Sequence, residues 1–194
     1  MISISDIKKI REETGLSIIE IKKALEQAKG NVDIAKKLLQ EWSRGAAEKK
    51  EEREAGAGII DSYIHPNLKV GVLIDLRCET DFVAQSIEFK KLAHELCLQI
   101  AAMKPLFIKE EEIPIELIEK EKERYEKELK SAGKPPSIID KILEGKIQKF
   151  KEEISLLSQV WIKDNNKKIK DLIQEMIAKV GEKIEIKKFS RFEI

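Results

Sequence analysis

The spacing of apolar residues changes character along the chain. Over residues 1–44 it follows a helical period in three short bursts. Ser5 is expected to cap the first, which turns Ile7 and Ile10 inward and ends at Gly15. Ser17 and Glu20 stand at capping-box spacing, where each side chain satisfies a free backbone N–H of the other's segment. The helix they open carries Ile21, Leu25 and Ala28 on one face, and Gly30 suits a left-handed C-terminal position. Asn31 is expected to cap a third helix whose face shows Ile34, Ala35, Leu38, Leu39 and Trp42. Arg44 to Glu54 is then almost entirely charged. Such a run reads as a solvated extension or a tether, and Gly56 and Gly58 mark entry to the next unit.

From Ala57 the pattern turns β-branched. GIIDSYIH, a turn at His65-Pro66-Asn67 and a second apolar run from Lys69 to Arg77 predict an antiparallel hairpin. Ser86 to Met103 predicts a helix with Ile87, Leu92, Leu96 and Ile100 among its apolar positions, stopped by Pro105. Pro114 opens a helix through Leu129. Its Ile118, Tyr125 and Leu129 stripe is too short for a coiled coil and suits a surface helix packed along one side. Gly133 to Ser137 (GKPPS) breaks the chain, and Ile138 to Ile154 is helical again. SLLSQVWIKDNN reads as an apolar patch ending in a polar turn. Lys168 to Val180 is a last helix ended by Gly181, and Lys183 to Ile194 alternates as a strand. The expected fold class is therefore α+β. It comprises a three-helix module at 1–44, a charged linker at 45–56, and a core at 57–194 in which a small antiparallel sheet packs with helices.

Composition narrows the function more than the fold. In 194 residues, 37 Lys+Arg balance 36 Asp+Glu, a formal net charge of +1. That balance argues against a direct nucleic-acid binder, which needs a cationic excess. No apolar run approaches the roughly 20 residues of a membrane span, and the N-terminus lacks the basic-then-apolar order of a secretory signal. Cys78 and Cys97 form no CxxC pair. The expectation is a cytoplasmic, reduced protein.

Chemistry of its own finds little support. There is no GxxxxGK[ST] phosphate loop and no GxSxG elbow, and AGAG at Ala55 to Gly58 lacks a dinucleotide fingerprint. His65, Cys78, His94 and Cys97 match no usual zinc spacing, and Cys97 belongs to a helix core. We expect no catalytic residue, no metal site and no cofactor. The stretch that stands out is Arg77 to Ala84 (RCETDFVA), between a strand and a helix. On residue chemistry alone it is a helix start, in which Thr80 or Asp81 caps and Phe82 turns into the core. A binding protein is the first class that remains, with a docking adaptor and an unrecognised enzyme as the open alternatives.

Four segments in order carry a resemblance that sharpens this. They are TGLSIIEIKKAL with GNVDIAKKLL, then YIHPNLKVGVLIDLRCETDFVA, then GKPPSIIDKILEGKIQKF, and WIKDNNKKIKDLIQEMIAKVGEKIEIKKFSRFEI. Together they resemble bacterial elongation factor Ts in its short form, the guanine nucleotide exchange factor for elongation factor Tu. The first segment is also similar to the ubiquitin-associated three-helix module, which implies a docking piece. The family usually writes NCETDFVA, so Arg77 departs, as does Val160-Trp161 where proline and phenylalanine are usual. The resemblance implies that Thr80, Asp81, Phe82 and Val83 displace magnesium from elongation factor Tu, with Phe82 wedging between helices of its GTPase domain and Asp81 beside it. The partner would be met both GDP-bound and nucleotide-free. The short form leaves a homodimer open.

Overall fold

The computed structural model describes residues 3–131 and 135–194. The chain divides into two compact units, Met1–Cys97 with Lys170–Ile194, and Leu98–Ile169. The fold is α+β.

The first unit opens with α1 (Ile4–Thr14), α2 (Ile18–Gln27) and α3 (Val32–Glu48). Ser3 rather than Ser5 caps α1: its hydroxyl accepts the Ser5 N–H, so the helix starts two residues earlier than the apolar spacing suggests. Gly15, at φ 69°, ends it, and its N–H reaches the Arg11 carbonyl. The capping box at α2 is complete: the Glu20 N–H meets Ser17 Oγ at 3.2 Å, and the Ser17 N–H meets Glu20 Oε2 at 3.2 Å. Ser17→Ala should cost about 1 kcal/mol, read as a melting temperature lower by roughly 2–4 °C. Asn31 Oδ1 caps α3 by accepting the N–H groups of Asp33 and Ile34.

These helices bury Ile10, Ile21, Ala24, Leu25, Ala28, Ala35 and Leu39 as one cluster, with Ile7, Leu38 and Trp42 partly buried against it. Ile34 is 49% exposed, a correction to the expected face. The buried stripe of α3 runs through Ala35, Leu39 and Ser43, and Ile34 lies beside it rather than on it.

A hairpin follows, β1 (Ala57–Ile64) and β2 (Val70–Cys78), paired antiparallel from Ala57↔Cys78 to Ile64↔Gly71. Gly58 has to be glycine, because a Cβ there would lie 2.3 Å from the Leu76 carbonyl oxygen. After β2 come the short helix α4 (Asp81–Ala84) and the long α5 (Ile87–Met103), whose later turns belong to the second unit. Phe89, Leu92, Ala93, Leu96 and Cys97 of α5 are buried, and His94 meets the Tyr63 ring of β1 edge-on at 6.1 Å. Burial pushes the Cys97 thiol up to about 12, as expected for a core cysteine. Ile87 is 83% exposed: the buried stripe starts at Phe89, and Ile87 sits on the opposite side of the first turn.

In the second unit α6 (Ile115–Ser131) packs with α7 (Pro136–Ile154) around Leu129, Ile139 and Leu143, joined by Tyr125, Ile142 and Ile147. Gly133 and Lys134 of the expected break lie outside the described residues. The stretch read as an apolar patch and turn is a small hairpin, β3 (Val160–Trp161) with β4 (Asp164–Lys168).

The chain ends with α8 (Ile169–Val180), all but its first residue in the first unit, and β5 (Ile184–Glu193). β5 pairs antiparallel with β2, giving the sheet order β1-β2-β5. Its Ile184 and Ile186 are buried, as are Val72, Ile74, Leu76 and Cys78 of the central strand. Ala178 of α8 packs against the three-helix cluster, and Arg44 of α3 pairs with Asp171 at 2.8 Å.

Candidate partner-binding motif

The register of the sheet determines where the singled-out stretch lies. The last pair of the β2–β5 ladder is Cys78↔Ile184, so Glu79 and Thr80 leave the sheet beside Glu182 and Lys183. There side chains continue where the backbone ladder stops. The Glu79 carboxylate accepts the Lys183 N–H at 2.6 Å. The Glu182 carboxylate accepts the Thr80 N–H at 3.0 Å and the Thr80 hydroxyl at 2.6 Å.

Thr80 is the N-cap of α4, and its Oγ1 accepts the Val83 N–H at 3.4 Å. Its carbonyl accepts the Ala84 N–H at 3.1 Å and the Cys78 thiol at 3.2 Å. The thiol is a donor there, in keeping with burial raising its pKa, together with the charges of Glu182 and Asp81. A helix of four residues has no stability of its own. This one is held by its cap and by Val83 and Ala84, both buried. Ser86 then accepts the Phe89 N–H at 3.2 Å and starts α5.

The four sequence-predicted residues thus divide by position. Thr80 fixes the turn and Val83 anchors it. Asp81 and Phe82 face solvent, and the Phe82 ring is 88% exposed. The alternative in which Phe82 turns into the core is overturned. An apolar ring held in solvent on a capped turn, beside a carboxylate, makes this stretch the candidate contact for a partner.

Sequence reasoning missed Glu79 and Glu182. Their signal was the pairing of the final strand with β2, which sets residues 182–183 opposite 79–80. Arg53, from the charged run, adds a contact at 3.3 Å to Glu79. The Glu79 carboxyl is held below its ordinary 4.5, chiefly by the Lys183 N–H and further by Arg53 and Lys50, against desolvation. A depressed carboxyl contributes stability that is present above its unfolded value and lost as pH falls through the folded one. Wild-type protein should therefore exceed Glu79→Gln in stability at neutral pH, and the gap should narrow below pH 4.5. Urea titrations of both proteins at several pH values check this, and a constant gap would refute it.

Arg77, the departure before the motif, turns back along its own strand, with its guanidinium 2.8 Å from Asp75. Among the described residues no group of three or more His, Cys, Asp or Glu is arranged to hold a metal ion, and no helix is long and apolar enough to cross a membrane.

Comparison with known proteins identifies the family. The family described as Elongation factor TS matches residues 44–194. Elongation factor Ts of Thermotoga maritima is 50% identical over 193 residues, which cover 100% of this chain and 96% of the relative. That of Thermodesulfovibrio yellowstonii is 50% identical over 188 residues, 97% of this chain and 94% of the relative. That of Herpetosiphon aurantiacus is 47% identical over 193 residues, 100% of this chain and 98% of the relative. With the matched family spanning the sheet and its motif, and the relatives extending through the three-helix module, the chain belongs to the elongation factor Ts family of translation elongation proteins.

Proposed function

We propose that this protein is the guanine nucleotide exchange factor of elongation factor Tu, acting in the cytoplasm without covalent chemistry, cofactor or nucleic-acid contact of its own. The observation that carries the reading is the Phe82 ring, 88% exposed on a turn whose next two residues are buried. Such a ring is free to enter a partner while its backbone stays fixed.

An exchange factor has to bind the nucleotide-free partner better than the nucleotide-bound one. Coupling is reciprocal, so it weakens GDP by as much as GDP weakens it. Phe82 wedges into the GTPase domain with Asp81 beside it, while Thr80 and Val83 hold the turn. The ring need not touch the nucleotide. Shifting the segments that hold the partner's magnesium and phosphate loop removes the charge compensation around the diphosphate. Residues 1–44 dock on the same partner, 45–56 connect, and 57–194 carry the wedge. A second copy packs on the outer sheet face, where Ile60, Ile64, Leu73 and Phe192 are exposed together.

The test is stopped-flow release of fluorescent GDP from elongation factor Tu with catalytic amounts of this protein. Strong acceleration is expected. By rate arithmetic, a release barrier lowered by about 4 kcal/mol gives roughly a thousandfold. Release at the intrinsic rate, with both proteins folded, would overturn the proposal.

A further inference from the structure

We propose that Glu182 is a positioning residue for the exchange motif: from the far end of the sequence it orients Thr80 and so sets the direction in which Phe82 is presented. The inference deepens the exchange reading above and rests on it.

The strand ends exchange side chains reciprocally. Glu79 takes the N–H of Lys183, and Glu182, one residue before Lys183, takes the N–H of Thr80, one residue after Glu79. The two halves differ in one respect. Glu79 takes its side-chain contact from Arg53 of the charged run, whereas Glu182 takes the side-chain proton of the same residue whose N–H it accepts, the Thr80 hydroxyl, at 2.6 Å. A hydroxyl has one proton to give and two lone pairs. With the proton committed to Glu182, the lone pairs of Oγ1 turn to the Val83 N–H, the contact that caps α4. Without the carboxylate the hydroxyl is free to rotate and to donate elsewhere.

Glu182 is itself well placed to act as a fixed point. It directly follows Gly181, whose φ of 78° and N–H to the Ile177 carbonyl end α8, and it precedes the ladder at Ile184. α8 in turn is tied to the three-helix cluster through Ala178 and the Arg44–Asp171 pair. The motif is therefore braced by the C-terminal segment as well as by its own strand. Neither Asp81 nor Phe82 makes a hydrogen bond to that segment, so its influence on the ring passes through Thr80.

The experiment compares wild-type protein with Glu182→Ala and Glu182→Gln in two assays. In the protein alone, amide hydrogen exchange at Val83 should speed up in Glu182→Ala while the β2–β5 amides keep their protection. In the GDP-release assay, the saturating rate should fall about tenfold, the scale of a lost charge-assisted hydrogen bond. The half-saturating concentration should stay within about threefold, since the docking surfaces are untouched. Glu182→Gln keeps an acceptor for one Thr80 donor and should recover part of the rate, which a merely structural role at the strand end does not require. Unchanged Val83 exchange in Glu182→Ala overturns the inference whatever the partner assay gives. So does general loss of sheet protection in both variants. Wild-type protein that fails to accelerate release overturns the exchange reading instead.

Discussion

Phe82→Ala should bind elongation factor Tu with nearly the wild-type half-saturating concentration yet release GDP about tenfold to a hundredfold more slowly at saturation. The magnitude follows from what the ring can contribute. Fully burying a phenylalanine side chain is worth roughly 1.5–3 kcal/mol, and each 1.36 kcal/mol off a barrier is about tenfold in rate. The ring is almost wholly exposed in the free protein, so nearly all of that area is available to the complex. Truncation leaves the turn in place, because the anchors are Val83 and Ala84 and the cap is Thr80. Phe82→Leu, which keeps much of the apolar surface, should fall between. Stopped-flow release across a range of factor concentrations separates the saturating rate from half-saturation. A mutant that loses affinity in proportion to rate would show the ring to be a docking contact, and one with wild-type release would sink the wedge mechanism.

How much of this was legible in the sequence depended on whether the signal was local. The capping box at Ser17 and Glu20, the Asn31 cap and the hairpin across His65 to Asn67 were local, and all are present. The exposure of Phe82 was not local. An aromatic residue two positions past a helix cap suits a core as well as a partner, and residue chemistry alone favoured the core. What settles its direction is Val83 and Ala84 filling the buried side of a turn too short to bury three neighbours. Glu182 lies 102 residues from Thr80 and met it only once the register of β5 on β2 was known. Ile34 was misassigned for a related reason: apolar character was counted where only phase along the helix decides burial. The β3–β4 hairpin was missed because a two-residue strand has no period to read.

That hairpin carries the second large effect. Gln99, on the part of α5 in the second unit, has an exposure of 0% and uses its whole amide. Its Nε2 donates to Gln159 Oε1 at 3.1 Å and to the Val160 carbonyl at 3.1 Å, and its Oε1 accepts the Ile162 N–H at 3.0 Å. Gln159, also buried, donates onward to the carbonyls of Met103 and Glu153 at 3.3 and 2.6 Å. One glutamine thus fixes the first strand of the hairpin and the residue that follows it. Gln99→Ala strips partners from three buried or half-buried groups at once, each costing about 1–3 kcal/mol if left unpaired. Taking the low end for each, the loss is about 3 kcal/mol, or roughly 6–12 °C in melting temperature for a chain of this size. Gln99→Met preserves volume while removing the hydrogen bonds, so it should be nearly as destabilised if polar satisfaction and not packing is responsible. Gln99→Glu should fail as well, since an ionised carboxylate keeps the acceptor for Ile162 but cannot donate to Gln159 or Val160. Thermal unfolding of the three variants, with amide exchange at Ile162 as the local readout, decides the matter. A Gln99→Met protein that melts with the wild type would mean that the glutamine only fills space and that the hairpin holds itself.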